Sequence, residues 1–303
     1  MDERSRMGRY FGEVVARRYS RREVLQGLAG AVPAIAFGQA AAAREEVRAK
    51  VAEWPPFQPI RATRADSIVL PPGYTYDIVV RWGDPIVAGR AALDPRRVAA
   101  GALLEPGAAA AQASQFGYNC DAIHFFATAA DGSRGILCVN NEYTNDELLF
   151  PGRRKDDQRR PADFRDFVMR HPESVRYTQA AHGISVVEVE RVAGHWRARS
   201  DSPMNRRITG DTPVQLTGPA RGAALMRSSY DPSGVTVNGT LANCAGGRTP
   251  WGTYLSAEEN IEDYFGNFAG LRARKDIPVE VLEAHRRFWL WERASLHGWE
   301  FVD

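Results

Sequence analysis

Two short stretches of this 303-residue chain gather side chains that hold cations. Asn119-Cys120-Asp121 sets a thiol between an amide and a carboxylate, and Asn140-Asn141-Glu142 sets two amides before a carboxylate. Between them lie two strand-like runs, 121–128 and 135–140, around Ala129-Ala130-Asp131-Gly132-Ser133-Arg134. An Asp-Gly pair between apolar runs is the strongest short-range hairpin signal. A turn centred on it places opposite one another residues whose numbers sum to about 263. Asp121 then faces Glu142 and Cys120 faces Tyr143, so both polar triplets meet at the open end of the hairpin. Carboxylate and amide oxygens suit hard cations such as calcium, while a thiolate adds preference for iron or zinc. A polar strand end capped by Asn and Asp is the plainer reading of the same residues.

Glu258-Glu259-Asn260 forms a second acidic cluster, directly after a strand expected over 251–257. Adjacent carboxylates repel unless solvent or a cation neutralises them; a solvent-exposed strand end accounts for them equally well. His124 and His182 read as hydrogen-bonded core or surface residues, and Cys138 in GILCVN as a buried small apolar residue. Cys244 in NCAGG reads as packing in a tight turn beside Gly246-Gly247. The chain holds no P-loop, no G-x-G-x-x-G after a strand, no H-E-x-x-H and no G-x-S-x-G. Triphosphate hydrolysis, the usual dinucleotide site and the common serine esterase elbow are thereby set aside; metal-assisted hydrolysis is not.

The elements that must position these groups are mostly short strands between turns. The aromatic and β-branched run 74–82 reads as a strand, and the alanine-rich segment 94–113 as a helix broken at Gly101 and at Pro106-Gly107. GISVVEVE (183–190) should turn through Ala193-Gly194 into Trp196. Residues 153–163 read as a charged loop and 278–293 as an amphipathic helix. The fold class is mainly β with helical insertions, a sandwich or a propeller. Net charge is +2, and seven arginines against four acids lie in residues 1–43, so the rest is near neutral and no nucleic-acid binding is expected. Three widely spaced cysteines imply no disulfide framework.

The leader carries its own signal. Arg21-Arg22 precede a weakly apolar stretch over 25–38, with small residues at 40–43 offering a cleavage site. That is the pattern of a twin-arginine export signal, with a basic amphipathic anchor as the alternative. The apolar run is too short for a stable membrane span. Domain expectations are therefore a signal over 1–43, a polar lead-in over 44–65 and a folded domain over 66–303. The expected location is periplasmic or secreted, and the expected partner the twin-arginine export machinery. This route carries folded, cofactor-loaded proteins, which suits a thiolate protected by a metal.

The order of motifs closely resembles the PhoX-type bacterial alkaline phosphatases. VLPPGYTYDIVVRWGDPI (69–86), QFGYNCDAIHFF (115–126), GILCVNNEYTNDELLFPG (135–152), AHGISVVEV (181–189), MNRRITGDTPVQLTGPARG (204–222) and LANCAGGRTPWGTYLSAEEN (241–260) carry the resemblance. It implies a β-propeller whose central channel holds iron and calcium, and metal-dependent hydrolysis of phosphate monoesters without a protein nucleophile. It also implies that Cys120 is the metal thiolate and that Glu142 and Glu258 are metal-binding carboxylates. Asn119, Asp121, Asn141 and Glu259 would be secondary ligands or their neighbours. Family members continue past the position of Asp303, so the chain is expected to be the N-terminal part of a truncated propeller with half of the implied site. An exported calcium-binding propeller without catalysis, or a lactonase-like hydrolase, is the rival reading; iron content separates them.

Overall fold

The computed structural model describes residues 58–302, except 267, 291 and 292. Arg21, Arg22 and the whole of 1–43 lie outside the described residues, as does most of the lead-in. Residues 58–76 carry no regular element beyond a turn in which Tyr74 N donates to Pro71 O at 3.1 Å. Asp77–Asp303 forms one compact unit.

The strand expected over 74–82 does not form. Aromatic and β-branched residues favour a strand only where a partner edge is available. Here the backbone turns instead: Arg81 N donates to Asp84 Oδ2 at 2.7 Å, and only Pro85 bridges to Gln115. The alanine-rich segment behaves as its interruptions require. Two 3-10 helices (Pro95–Ala100 and Ala102–Leu104) and helix α1 (Ala108–Gln112) are separated at Gly101, which sits at φ 87°, and at Gly107, at φ 90°.

Strands β1 (Cys120–Ala127) and β2 (Arg134–Asn141) form the expected hairpin. After them come α2 (Asp146–Leu149), α3 (Pro161–Arg170) and α4 (Pro172–Ala181). The last two begin on prolines, whose missing N–H costs nothing in a first helical turn; α3 starts inside the segment expected to be loop. Strands β3 (Gly183–Val192), β4 (His195–Ala198) and β5 (Arg206–Ile208) complete an antiparallel sheet of order β1-β2-β3-β4, with β5 also on β3. Two further hairpins follow, β6 (Pro213–Gln215) with β7 (Thr236–Asn238), and β8 (Asn243–Arg248) with β9 (Tyr254–Glu258). Helices α5 (Phe268–Ala273) and α6 (Val279–Arg287) come last, α6 shorter than the expected 278–293.

The architecture is mainly β with helical elements, in antiparallel sheets. One core cluster joins Leu103, Leu149, Phe150 and the inner faces of α3 and α4 to Trp299; another joins Ile86, Phe116, Val139, Val187 and Val189 over the sheet. Beneath the first lies a buried ionic group. Arg153 holds Asp157 at 2.8 Å and Asp146 at 3.2 Å, caps Leu296 O and lies 3.9 Å over the Phe164 ring. His297 Nδ1 faces both Asp146 oxygens at 3.2 Å. Burial alone would raise the Asp146 carboxyl, but His297 and then Arg153 bring it below the ordinary carboxylate value. This group fastens the loop that leaves β2 through Glu142.

Candidate metal centre

The hairpin does bring the two polar triplets together, with a register different from the one expected. Cys120 pairs with Asn141 rather than Tyr143: the turn already sets the ladder one residue off the expected register, as in His124 opposite Cys138, and a shift between Cys120 and Ile123 adds another. Such a bulge adds a residue to one strand, and the turn sequence does not announce it. Antiparallel partners point to the same face. Cys120 therefore lies on the face of Asn141, whereas Glu142, one residue on, turns to the other.

On that other face the β8–β9 hairpin closes over β1 and β2. Asn140 Nδ2 donates to Cys244 O at 2.9 Å and to Ala245 O at 3.2 Å, and Tyr254 Oη donates to Asn140 Oδ1 at 2.8 Å. Gly246 allows the contact: a Cβ there would come within 2.8 Å of Ala122 Cβ. Gly246, read as part of a turn, is thus the flush surface of a strand, and Cys244 is delivered to the site instead of to packing. Asp121, Glu142 and Cys244 each offer a ligand atom, and these atoms lie within 4.8 Å of one another, all half-buried.

The electrostatics show an excess of negative groups. Burial raises the Glu142 carboxyl, and the neighbouring Asp121 and Glu259 raise it further. Cys244 donates its S–H to Asp121 Oδ2 at 3.1 Å, and that bond, with desolvation and the acids around it, pushes its thiol up to about 12. A cation would neutralise these three ligands at once. Two carboxylates and a thiol fit a cation that accepts mixed oxygen and sulfur donors.

The other expected residues fall around this group. Glu259 lies against Glu142 and Cys244. Glu258 is exposed and accepts from Thr240 Oγ1 at 2.6 Å and Leu241 N at 3.0 Å. Asn119, at φ 45°, accepts Glu142 N at its carbonyl and donates from Nδ2 to Tyr143 O at 3.1 Å. Asn141 is fully buried, and its Oδ1 accepts Ser185 Oγ at 2.6 Å and the Arg207 guanidinium. Cys120 is solvent-exposed on this Arg207 side; desolvation of its sulfur raises the thiol, with Arg207 opposing.

His182 is the hydrogen-bonded core residue that the sequence suggested, whereas Tyr264, His297 and Trp299 carried no sequence signal as neighbours of the site. His182, fully buried, sets Nδ1 2.6 Å from Thr178 O, so Nδ1–H donates and Nε2 accepts from Tyr264 Oη at 3.0 Å. Tyr264 Oη lies 3.4 Å from Glu142 O, which competes with His182 Nε2 for its one proton. His297 and Trp299 pack against both rings. An aromatic wall thus backs the strand end that carries Glu142.

The family model described as alkaline phosphatase PhoX matches residues 55–302. A solved structure of Pseudomonas fluorescens PhoX in complex with vanadate, a transition state analogue, matches with 35% sequence identity and a TM-score of 0.66. The match covers 82% of this chain and 38% of that one, so this chain spans well under half of that protein. No curated protein matches the chain.

Proposed function

The chain belongs to the alkaline phosphatase PhoX family, and from that premise we propose that it contributes a metal-dependent site for hydrolysing phosphate monoesters. The observation that carries this reading is the convergence of Asp121, Glu142 and Cys244 from three different strand ends. We assign iron and calcium as the metals, with Cys244 the thiolate nearest the carboxylates and Glu259 at their edge. Asn119, Asn141, Cys120 and Glu258 belong to the same strand ends and are assigned supporting places around this group.

When bound, the cations would supply charge neutralisation and Lewis acidity toward a phosphoryl group. The chain's own residues prepare for that. Glu142 is held at its backbone, where its N–H donates to Asn119 O at 3.0 Å. Asn140 locks the β8–β9 hairpin over the hairpin of β1 and β2, so Cys244 and Asp121 keep their separation. The Cys244 proton must leave when a metal binds, which makes affinity rise with pH.

A β-propeller architecture, with this chain as its N-terminal part, is the fold reading that accords with the short antiparallel hairpins. Export through the twin-arginine route, to a periplasmic or secreted location, rests on Arg21-Arg22. No described helix is long and apolar enough to cross a membrane.

The test is metal content and hydrolysis together. Purified protein should retain iron and calcium, hydrolyse p-nitrophenyl phosphate with vanadate inhibition, and lose both metal and activity in Glu142→Gln. Metal-free wild type with unchanged turnover would defeat the reading; calcium without iron would favour a calcium-binding protein instead.

A further inference from the structure

Arg207 is a buried guanidinium with no carboxylate bonded to it among the described residues. Its Nη2 donates to the carbonyls of Ala180 at 3.0 Å, Ala181 at 3.3 Å and His182 at 2.7 Å. These are the last carbonyls of α4, where a cation complements the helix dipole. Its Nη1 donates to Asn141 Oδ1 and to Ser185 Oγ. One side chain therefore ties a helix end, β3 and the final residue of β2.

The space for this junction is specific. A Cβ on Gly117 would lie 2.4 Å from Asn141 Cγ and 2.6 Å from Arg207 Nη1. Asn141, clamped on one face, fixes the backbone from which Glu142 leaves on the opposite face. Glu142 faces Asp121 and Glu259, whose charges would push that strand end away from them. The clamp on Asn141 holds that strand end in place against this push.

We propose that Arg207 is a positioning residue for the metal centre: through Asn141 it sets where the Glu142 carboxylate sits relative to Asp121 and Cys244. This inference rests on the metal-centre reading above. Arg207 touches neither substrate nor metal ligand atoms in it; it acts through the strand.

Because Arg207 also ends α4, a loss of folding alone would not support the inference. The experiment is terbium(III) titration of the full chain, read by sensitised luminescence, beside a thermal melt of the same sample without metal. Arg207→Lys keeps the charge and loses the forked double hydrogen bond. Terbium affinity should fall at least about tenfold, the range seen when residues supporting a metal ligand are removed. Arg207→Met, if folded, should fall further. Asn205→Ala supplies the control: Asn205 belongs to the same segment and bonds Glu188 N, Ile86 O and Arg199 O, away from the centre. It should lower the thermal midpoint and leave terbium affinity within twofold. Arg207→Lys binding terbium like the wild type, while Glu142→Gln binds weakly, overturns the inference and leaves the metal centre standing. Equal binding by wild type and Glu142→Gln overturns the metal centre, and the inference with it.

Discussion

Cys120 and Cys244 show what one residue's facing decides. Both thiols lie near the open end of the β1–β2 hairpin, but only Cys244 shares a face with Asp121 and Glu142. Cys244→Ser and Glu142→Gln should each weaken calcium or iron binding by at least about tenfold, and Cys120→Ser should change it less than threefold. Equilibrium dialysis on the three variants decides this; a larger loss from Cys120→Ser would move the thiolate to the other face. The raised Glu142 carboxyl gives a second prediction. A carboxyl raised in the fold costs stability as pH rises from its unfolded value, about 4.3, toward its folded value, and metal removes that cost. Added calcium should therefore raise the melting temperature more at pH 7 than at pH 5, and an equal rise at both would contradict the assignment. That acids and a thiol converge here was legible in NCD and NNE. Which thiol joins them was not, because facing depends on a bulge between Cys120 and Ile123 that no residue type marks.

At the scale of elements, legibility follows whether a segment's partner is local. The β1–β2 and β3–β4 hairpins are readable because turn residues and alternation act within a few positions. The run 74–82 has strand composition and no strand, because pairing requires an edge that sequence does not supply. Gly246 looks like turn chemistry, yet serves close packing of β8 on β1, a contact across more than a hundred residues. Close approach also makes Gly117 testable. Gly117→Ala forces a methyl against Asn141 and Arg207 in a buried site, an overpacking that should cost about 1–3 kcal/mol. A urea midpoint shift with unchanged slope would measure it, and no shift would mean the junction relaxes freely. Arg153 supports the neighbouring loop from beneath. Its side chain is 4% exposed, and Arg153→Met would leave buried Asp146 with only His297 and buried Asp157 with only the half-exposed Arg154. The expected loss is about 3–5 kcal/mol, read by the same urea unfolding. A near-neutral result would show that methionine packing on Phe164 and Phe167 replaces the pair.

For the whole folded unit, the acid limit of stability is set from its interior. His182 is fully buried between Thr178 O and the Tyr264 hydroxyl, and burial, with the nearby His297, lowers its pKa to about 3. The unfolded chain's histidine protonates near 6.5. Between those values the unfolded state binds a proton that the folded state refuses, so folding weakens as pH falls. The contribution is fully present above about 6.5 and declines below it, at up to about 1.4 kcal/mol per pH unit. Asp146, depressed in the fold, adds loss on the same side once pH drops below about 3.9. The exposed His195–Asp77 pair acts oppositely for its histidine: His195 is raised by Asp77, so its share is present at acid pH and fades as pH rises through its folded value. Full exposure makes that share minor. Chelator-treated protein should accordingly lose up to about 2 kcal/mol of unfolding free energy between pH 6.5 and 5.0. The His182 ring signals should show no titration over that range in NMR. A His182 resonance titrating near 6.5 would place the acid limit elsewhere and loosen the wall behind Glu142, since a protonated Nε2 cannot accept the Tyr264 hydroxyl.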